Sequence, residues 1–264
     1  MKILVCIKQV PDKDSKLALD ASRTGIVETD LNWEINESDD YAVETALRIK
    51  ESRSEPTEVV VCTLGPERAR KAINTALAKG ADRGIHLVEP DFQVADPLAV
   101  AHTLAAVAKS EEFQLVLCGT RSDDSGYGET PILLAGLLDW PAVFLTMGVE
   151  LDGTGIKVVR ELEAARQELS HVTLPAVLSI QSGISEVRYT SLKGIMAAKK
   201  KPVSQPTLRE LGLSLEQVGR NGSRLQVLEL SPPVKKSQCE IIGGNAETAA
   251  RSLVDKLRRE AKVL

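Results

Sequence analysis

The sequence predicts an α/β protein built on an open, mostly parallel sheet. Three observations carry that reading. Short apolar, β-branched runs alternate with amphipathic helical stretches over roughly the first 145 residues. The runs lack polar alternation, as strands buried on both faces of a parallel sheet require. A turn and a proline recur between strand and helix, at Gly65-Pro66, Asp96-Pro97 and Thr130-Pro131. Proline suits the first helical position, where its missing N–H would be unpaired anyway. The repeat of strand, turn, proline and helix is Rossmann-like in the broad sense.

The elements follow in order. Ile3–Ile7 reads as the first strand and Tyr41–Lys50 as the first long helix. That helix opens in "INESDD" (Ile35–Asp40), with Asn36 or Ser38 as cap and acids in the first turn. Val59–Thr63 is the next strand. Pro66–Lys79 is a helix with Ala69, Ile73, Ala76 and Leu77 on one face and Gly80 as its left-handed stop. Ile85–Val88, a helix over Pro97–Ala108, Leu115–Cys118, a helix from Pro131 and the strand Ala142–Thr146 complete the series. The pattern then changes. Gly148–Leu162 holds two alternating runs around Asp152-Gly153, a hairpin signal, and Leu174–Ile180 is a further buried strand. From Gln181 irregular and helical pieces alternate, and the chain closes on an amphipathic helix at about Asn245–Lys262. We divide it into a nucleotide-binding α/β domain, 1–200, and a C-terminal arm, 201–264, whose apolar faces call for a partner surface.

Composition narrows the function. Of 264 residues, 43% are apolar and 27% charged, with net charge −4 and both signs interspersed. A nucleic-acid protein would need a basic field, and 3% aromatics is too few for base-stacking platforms. No apolar run approaches the ~20 residues that span a bilayer, and "MKILVCIKQV" reads as a first strand and not as a signal peptide. Cys6, Cys62, Cys118 and Cys239 form no C-x-x-C pair, which argues against zinc and points to reduced thiols in a cytoplasm. His86, His102 and His171 have no acid or cysteine at ligand spacing, so no metal or catalytic triad is assigned.

The most informative stretch is "CGTRSDDSGYGETPILLAGLL", Cys118 to Leu138. It runs from a strand end through a loop to a helix start. In an open α/β sheet ligands sit beyond the carboxyl ends of the strands. Gly126 and Gly128 let backbone approach a ligand closely, Thr130 can cap the helix, and the free N–H groups of its first turn suit a phosphate. A solvated loop before a well-capped helix explains this segment equally well. Asp123, Asp124 and Glu129 disfavour a polyanion, with only Arg121 to offset them. G-x-x-x-x-G-K-[ST] is absent, as is G-x-G-x-x-G after the first strand. A mononucleotide such as AMP therefore fits better than ATP or NAD. Cys6, Thr63–Leu64 and Cys118 put small or apolar residues at three strand ends, as an adenine slot or plain core packing would need.

These residues carry a resemblance. The stretches "KILVCIKQVPD", "INESDDYAVETALRIKE", "LAKGADRGIHL", "LVLCGTRSDDSGYGET", "LLDWPAV", "LPAVLSI" and "RYTSLKGIMAAKKKP" occur in order over nearly the whole chain. In them the chain resembles the small (beta) subunit of electron-transfer flavoproteins. The resemblance implies a heterodimer with an alpha subunit, which holds most of a redox-active FAD. It implies one structural AMP in the small subunit and electron flow from dehydrogenases to a quinone oxidoreductase or other acceptor. No nucleophile–base pair is visible in the sequence and none is needed where a flavin carries the redox chemistry, so no catalytic residue is assigned, and no membrane insertion is expected. Its AMP-binding positions match Cys6, Asn36, Glu37, Ser38, Asp39 and Leu64. They continue through Gly119, Thr120, Arg121, Ser122, Asp123, Asp124, Ser125, Gly126, Tyr127, Gly128, Glu129 and Thr130. The chain departs from the family where Arg121 and Glu129 replace glutamines, and where Ala164-Ala165 behind Glu163 replaces a Gly-Gly pair.

The resemblance also marks a recognition segment, Arg188–Lys201, with Leu192, Ile195 and Met196 at helical spacing and then Lys199, Lys200 and Lys201. It implies that Leu192 projects into a dehydrogenase pocket. The alternative is a short helix packing that stripe on its own core. Gly194 reads against a rigid, deeply packed helix. Two further readings stand beside the AMP-holding carrier. One is a bifurcating type with a second FAD in place of AMP, whose members show an Asp-Gly-Asp run where this loop has Asp123-Asp124-Ser125. The other is an ATP-binding or adenylating α/β enzyme, which would want a Ser-Gly-Gly loop where "KQVPDKDSK" stands.

Overall fold

A computed structural model describes residues 1–88, 95–153, 155–233 and 239–264. Thr154, inside the sequence-predicted hairpin, lies outside them. The chain runs β1 (Lys2–Cys6), β2 (Gln9–Pro11), β3 (Trp33–Ile35), α1 (Glu37–Ser52), β4 (Glu58–Leu64), α2 (Arg70–Lys79) and β5 (Arg83–Leu87). It continues through α3 (Pro97–Ser110), β6 (Leu115–Gly119), α4 (Thr130–Leu138), β7 (Ala142–Asp152), β8 (Gly155–Glu161), β9 (Gln167–Thr173) and β10 (Ala176–Ile180). Last come α5 (Leu192–Ala198), β11 (Val203–Ser204), α6 (Gly219–Gly222) and α7 (Ala246–Arg259).

Nine strands form one sheet in the order β11-β5-β4-β1-β6-β10-β7-β8-β9. The pairings from β11 through β7 are parallel, and β8 and β9 add antiparallel to one edge. The chain winds outward from β1 through β4 to β5, then crosses to β6 on the other side of β1. That reversal makes a topological switch point between the carboxyl ends of β1 and β6.

Two apolar cores flank the sheet. Ile3, Val5, Val59 and Val61 meet Val43, Leu47, Ile73 and Leu77 of α1 and α2 on one face. Leu4, Val60, Val116 and Cys118 meet Leu104, Ala108 and Leu134 of α3 and α4 on the other. Burial on both faces is why these strands carry unalternated apolar runs.

Several boundaries differ from expectation for local reasons. Of the three prolines only Pro97 stands at a first helical position, behind Asp96, whose carboxylate caps Ala99 N–H at 2.9 Å. Pro66 precedes a short 3-10 turn, and Pro131 is the second residue of α4. Thr130 is therefore inside α4 and is not its cap. Gly80, at φ +139, ends α2 as expected. Asp139, at φ +54, ends α4, and Trp140 N–H returns to Ala135 O at 3.1 Å. Ala142–Thr146 and the first arm of the hairpin are one strand, β7, interrupted where Leu145 takes φ +58. The α/β body also passes residue 200: Val203 pairs with Gly84, and Leu208 and Val218 are buried in the α3 core. No residue of α7 is buried.

Candidate functional site

The expected nucleotide residues converge on the switch point. Asp39 lies in the first turn of α1 and is 7% exposed. Its Oδ2 accepts the N–H of Lys8, just past β1, at 2.8 Å, and its Oδ1 accepts that of Gly119, the last residue of β6, at 2.9 Å. Burial pushes this carboxyl up to about 7, against the two N–H donors that hold it down. Gly119 is required there, since a Cβ would overlap Asp39 Oδ1 and Ser38 Oγ.

Asn36 is fully buried and serves the loop more than its helix. It precedes α1 but makes no side-chain cap. Its Nδ2 donates to Arg121 O at 2.9 Å and to Ser38 Oγ at 3.1 Å, and its Oδ1 accepts Asp123 N–H at 2.8 Å. Ser38 Oγ donates to the same Arg121 O at 3.0 Å. Glu37 pairs with Lys13, and its N–H faces Asp123 Oδ2 at 3.4 Å. The start of α1 thus stitches the loop after β6 to the end of β1.

Lys8 is a residue of this crevice that sequence reasoning missed. Its Nζ reaches Asp124 Oδ1 at 2.7 Å and Ser125 Oγ at 3.3 Å. The loop acids are therefore not left to Arg121 alone. Arg121 makes no ion pair among the described residues and is exposed. Ser122 and Ser125 share a hydrogen bond at 2.7 Å, and Gly126 N–H closes on Ser122 O at 3.0 Å.

Beyond this turn the loop opens. The N–H groups of Tyr127, Gly128, Glu129, Thr130 and Ile132 have no protein acceptor among the described residues. Gly126 and Gly128 both sit at φ +70. A Cβ on Gly126 would meet nothing within 4 Å, so conformation and not crowding demands glycine there. Tyr127 and Glu129 are exposed, and Thr120 and Thr130 are half-buried. Free donors at a helix start, beside left-handed glycines, are an arrangement suited to accepting an anion.

Cys6 and Cys118 lie under the crevice on the α3 and α4 face, with Cys62 beside Cys6 in register and Leu64 half-buried at the end of β4. Thr63 alternates to the opposite face, fully buried, and so leaves the adenine slot that sequence spacing suggested. All three buried cysteines are free, and burial, with the Cys118 thiol beside it, raises the Cys62 thiol to about 12.

The second expected site is α5. Ser191 caps it through Gly194 N–H at 3.0 Å. Leu192 is 83% exposed, and Tyr189, Ile195 and Met196 are also exposed. Lys199 and Lys200 face solvent, whereas Lys201 turns inward and donates to Leu77 O at 2.9 Å and Ala81 O at 2.6 Å. Lys201 thus caps the end of α2 and leaves the basic cluster. Gly194 also has a different role from the one expected, because a Cβ would collide with Ala78 O. It permits close packing of α5 on α2.

Past the body, Leu225, Leu228, Ile241, Leu253 and Val254 are exposed. Among the described residues there are no groups of three or more His, Cys, Asp or Glu placed to hold a metal, and no helix is long and apolar enough to cross a membrane.

The family described as "Electron transfer flavoprotein domain" matches residues 24–211. The chain is similar to the electron transfer flavoprotein subunit beta of Bradyrhizobium diazoefficiens, with 36% identity over 264 residues and all of both chains covered. It is 34% identical over 265 residues to that of Homo sapiens, covering 100% of this chain and 99% of the relative. The mitochondrial one of Oryza sativa subsp. japonica is 36% identical over 266 residues, with both chains fully covered.

Proposed function

Because this chain belongs to the electron transfer flavoprotein family, as a beta subunit, we propose that it works as a carrier half and not as an enzyme alone. In this reading it pairs with an alpha subunit, holds one structural AMP at the switch point and docks electron-donating dehydrogenases through α5. FAD, held mainly by the alpha subunit, supplies the redox chemistry, which needs no nucleophile or base from this chain. The alpha subunit covers the apolar residues of the arm. A quinone oxidoreductase or other acceptor takes the electrons onward. Free thiols fit a reducing compartment such as the cytoplasm.

One observation supports the AMP assignment above the rest: five backbone N–H groups between Tyr127 and Ile132 lack a protein acceptor. They surround a loop that α1 holds from beneath. A single phosphate suits donors without a dedicated lysine, since Lys8 is already paired with Asp124. Cys6, Leu64 and Cys118 offer an apolar floor for a purine. Nothing in this set supplies the general base and triphosphate loop of an adenylating enzyme. Bound only by the folded state, the nucleotide stabilises the stitched crevice.

The absorption spectrum of the purified chain, apart from its partner, tests the assignment. A colourless chain with adenine absorbance is expected. Flavin absorbance in the isolated chain would instead favour a second FAD.

A further inference from the structure

The segment bearing Leu192 is gripped at its front by a cluster of charges separate from the nucleotide crevice. Glu44 projects from α1 and is 2% exposed. It accepts from Arg188 Nε at 2.7 Å, Arg188 Nη2 at 3.1 Å and the Arg188 backbone N–H at 3.2 Å. Arg48, one turn along α1, adds a fourth donor at 2.8 Å and ties Glu186 O with its Nη2 at 2.9 Å. The other edge of the Arg188 fork meets Glu51 at 2.5 and 3.0 Å. Burial pushes the Glu44 carboxyl up, and the two arginines outweigh it, holding the group at about 2.

The back of the segment is fixed as well. Gly194 lies against Ala78 O, Ala198 is buried, and Lys201 donates to the end of α2. Between these holds, Tyr189 (95% exposed) and Leu192 project with no cover among the described residues. The backbone that carries these two exposed side chains is thus held on both sides before any contact forms.

We propose that Arg188, held between Glu44 and Glu51, is a positioning residue that presets Tyr189 and Leu192 for docking, so that association costs little ordering of the segment. This rests on the docking reading given above. A planar guanidinium can serve both carboxylates and its own backbone turn at once, whereas a lysine at this position reaches one of them.

The test uses the heterodimer, as wild type and as Arg188→Lys, Glu51→Gln and Leu192→Ala. Hydrogen exchange is followed over residues 189–198. Flavin reduction is followed by stopped flow, with a flavoprotein dehydrogenase chemically reduced beforehand as the probe. In Arg188→Lys we expect exchange in the segment to rise about tenfold, and KM for the reduced dehydrogenase to rise about fivefold with the limiting rate held within about twofold. Glu51→Gln, which keeps the Glu44 contacts, should move KM in the same direction by about twofold and decides the matter if Arg188→Lys fails to fold. A raised KM in Leu192→Ala, with exchange and KM unchanged in both clamp variants, would overturn the clamp alone. An unchanged KM in Leu192→Ala would overturn the docking reading and the proposal with it.

Discussion

Asp39 Oδ1 accepts the backbone N–H of Gly119 at 2.9 Å, joining positions 80 residues apart. The other oxygen of the same carboxylate takes the N–H of Lys8 at 2.8 Å. One side chain thus ties the first turn of α1 to the ends of both strands that define the switch point. The glycine-rich loop begins at Gly119, so its take-off direction is set by this carboxylate. The first predictions probe that tie.

Gly119→Ala should be among the most damaging single substitutions in the chain. Its Cβ would overlap Asp39 Oδ1 and Ser38 Oγ, both buried. Asp39 cannot move without releasing the Gly119 N–H, nor Ser38 without leaving the Arg121 carbonyl. A loss of about 3 kcal/mol is expected from crowding plus an unsatisfied N–H. Denaturant unfolding of the full chain measures it, and a loss within about 0.5 kcal/mol would refute the tight approach.

Asp39 should give stability an unusual pH dependence. Its folded pKa is raised, from 3.8 to about 7, chiefly by burial. The folded state then binds the proton more tightly than the unfolded chain. This contribution is complete below about pH 4 and is lost as pH rises through 7, by an amount on the order of 4 kcal/mol. Glu44 has the opposite sign: its depressed pKa contributes stability that disappears as pH falls from 4.5 toward 2. In Asp39→Asn the decline between pH 4 and 7 should vanish. The variant should be less stable than wild type at pH 5, because one backbone donor then faces an amide NH2 group. An unchanged pH profile would show that Asp39 titrates normally.

The parallel strands were legible because burial on both faces imprints unbroken apolar runs. β9 was not: Gln167–Thr173 lies on an exposed edge and shows little apolar patterning. β2 and β3 have three residues each, and β11 has two, too short for any period to show. The glycine-rich loop and the polar start of α1 were each legible, but the cap expected of Asn36 or Ser38 is absent and the Asp39 tie was not foreseen. Lys8 escaped notice since its partner Asp124 lies 116 positions away. Lys201 looked like part of a basic run, and only the fold reveals that it faces two carbonyls at the end of α2.

The turn between β8 and β9 stores strain that glycine would relieve. Ala164 and Ala165 both hold left-handed φ, +58° and +57°. Relief at each is about 1–2 kcal/mol, offset by about 0.5–1 kcal/mol for the greater freedom of glycine in the unfolded chain. Ala164→Gly with Ala165→Gly should therefore raise stability by about 1 kcal/mol in thermal melts. A lower melting temperature would refute the strain.

Leu192→Ala should separate recognition from folding. At 83% exposure the side chain contributes little to the core, so stability should change within about 0.5 kcal/mol, against about 2–5 kcal/mol for a buried leucine. Electron transfer from a dehydrogenase should slow while flavin content is unchanged. Neutralising Lys199 and Lys200 should mainly flatten the salt dependence of the encounter. Neutralising Lys201 should instead destabilise the chain, by exposing the end of α2. A large stability loss with normal transfer would assign Leu192 to the core.

The central claim is that the crevice between β1 and β6 holds a nucleoside monophosphate. Mass spectrometry of nucleotides released by denaturing the heterodimer tests it most directly, with Gly128→Val as comparison. The loop conformation predicts one AMP per beta chain in the wild type, beside the FAD of the heterodimer. It predicts AMP largely lost in Gly128→Val, since valine resists φ +70 where the free N–H groups gather. Two FAD per heterodimer and no AMP would contradict the account.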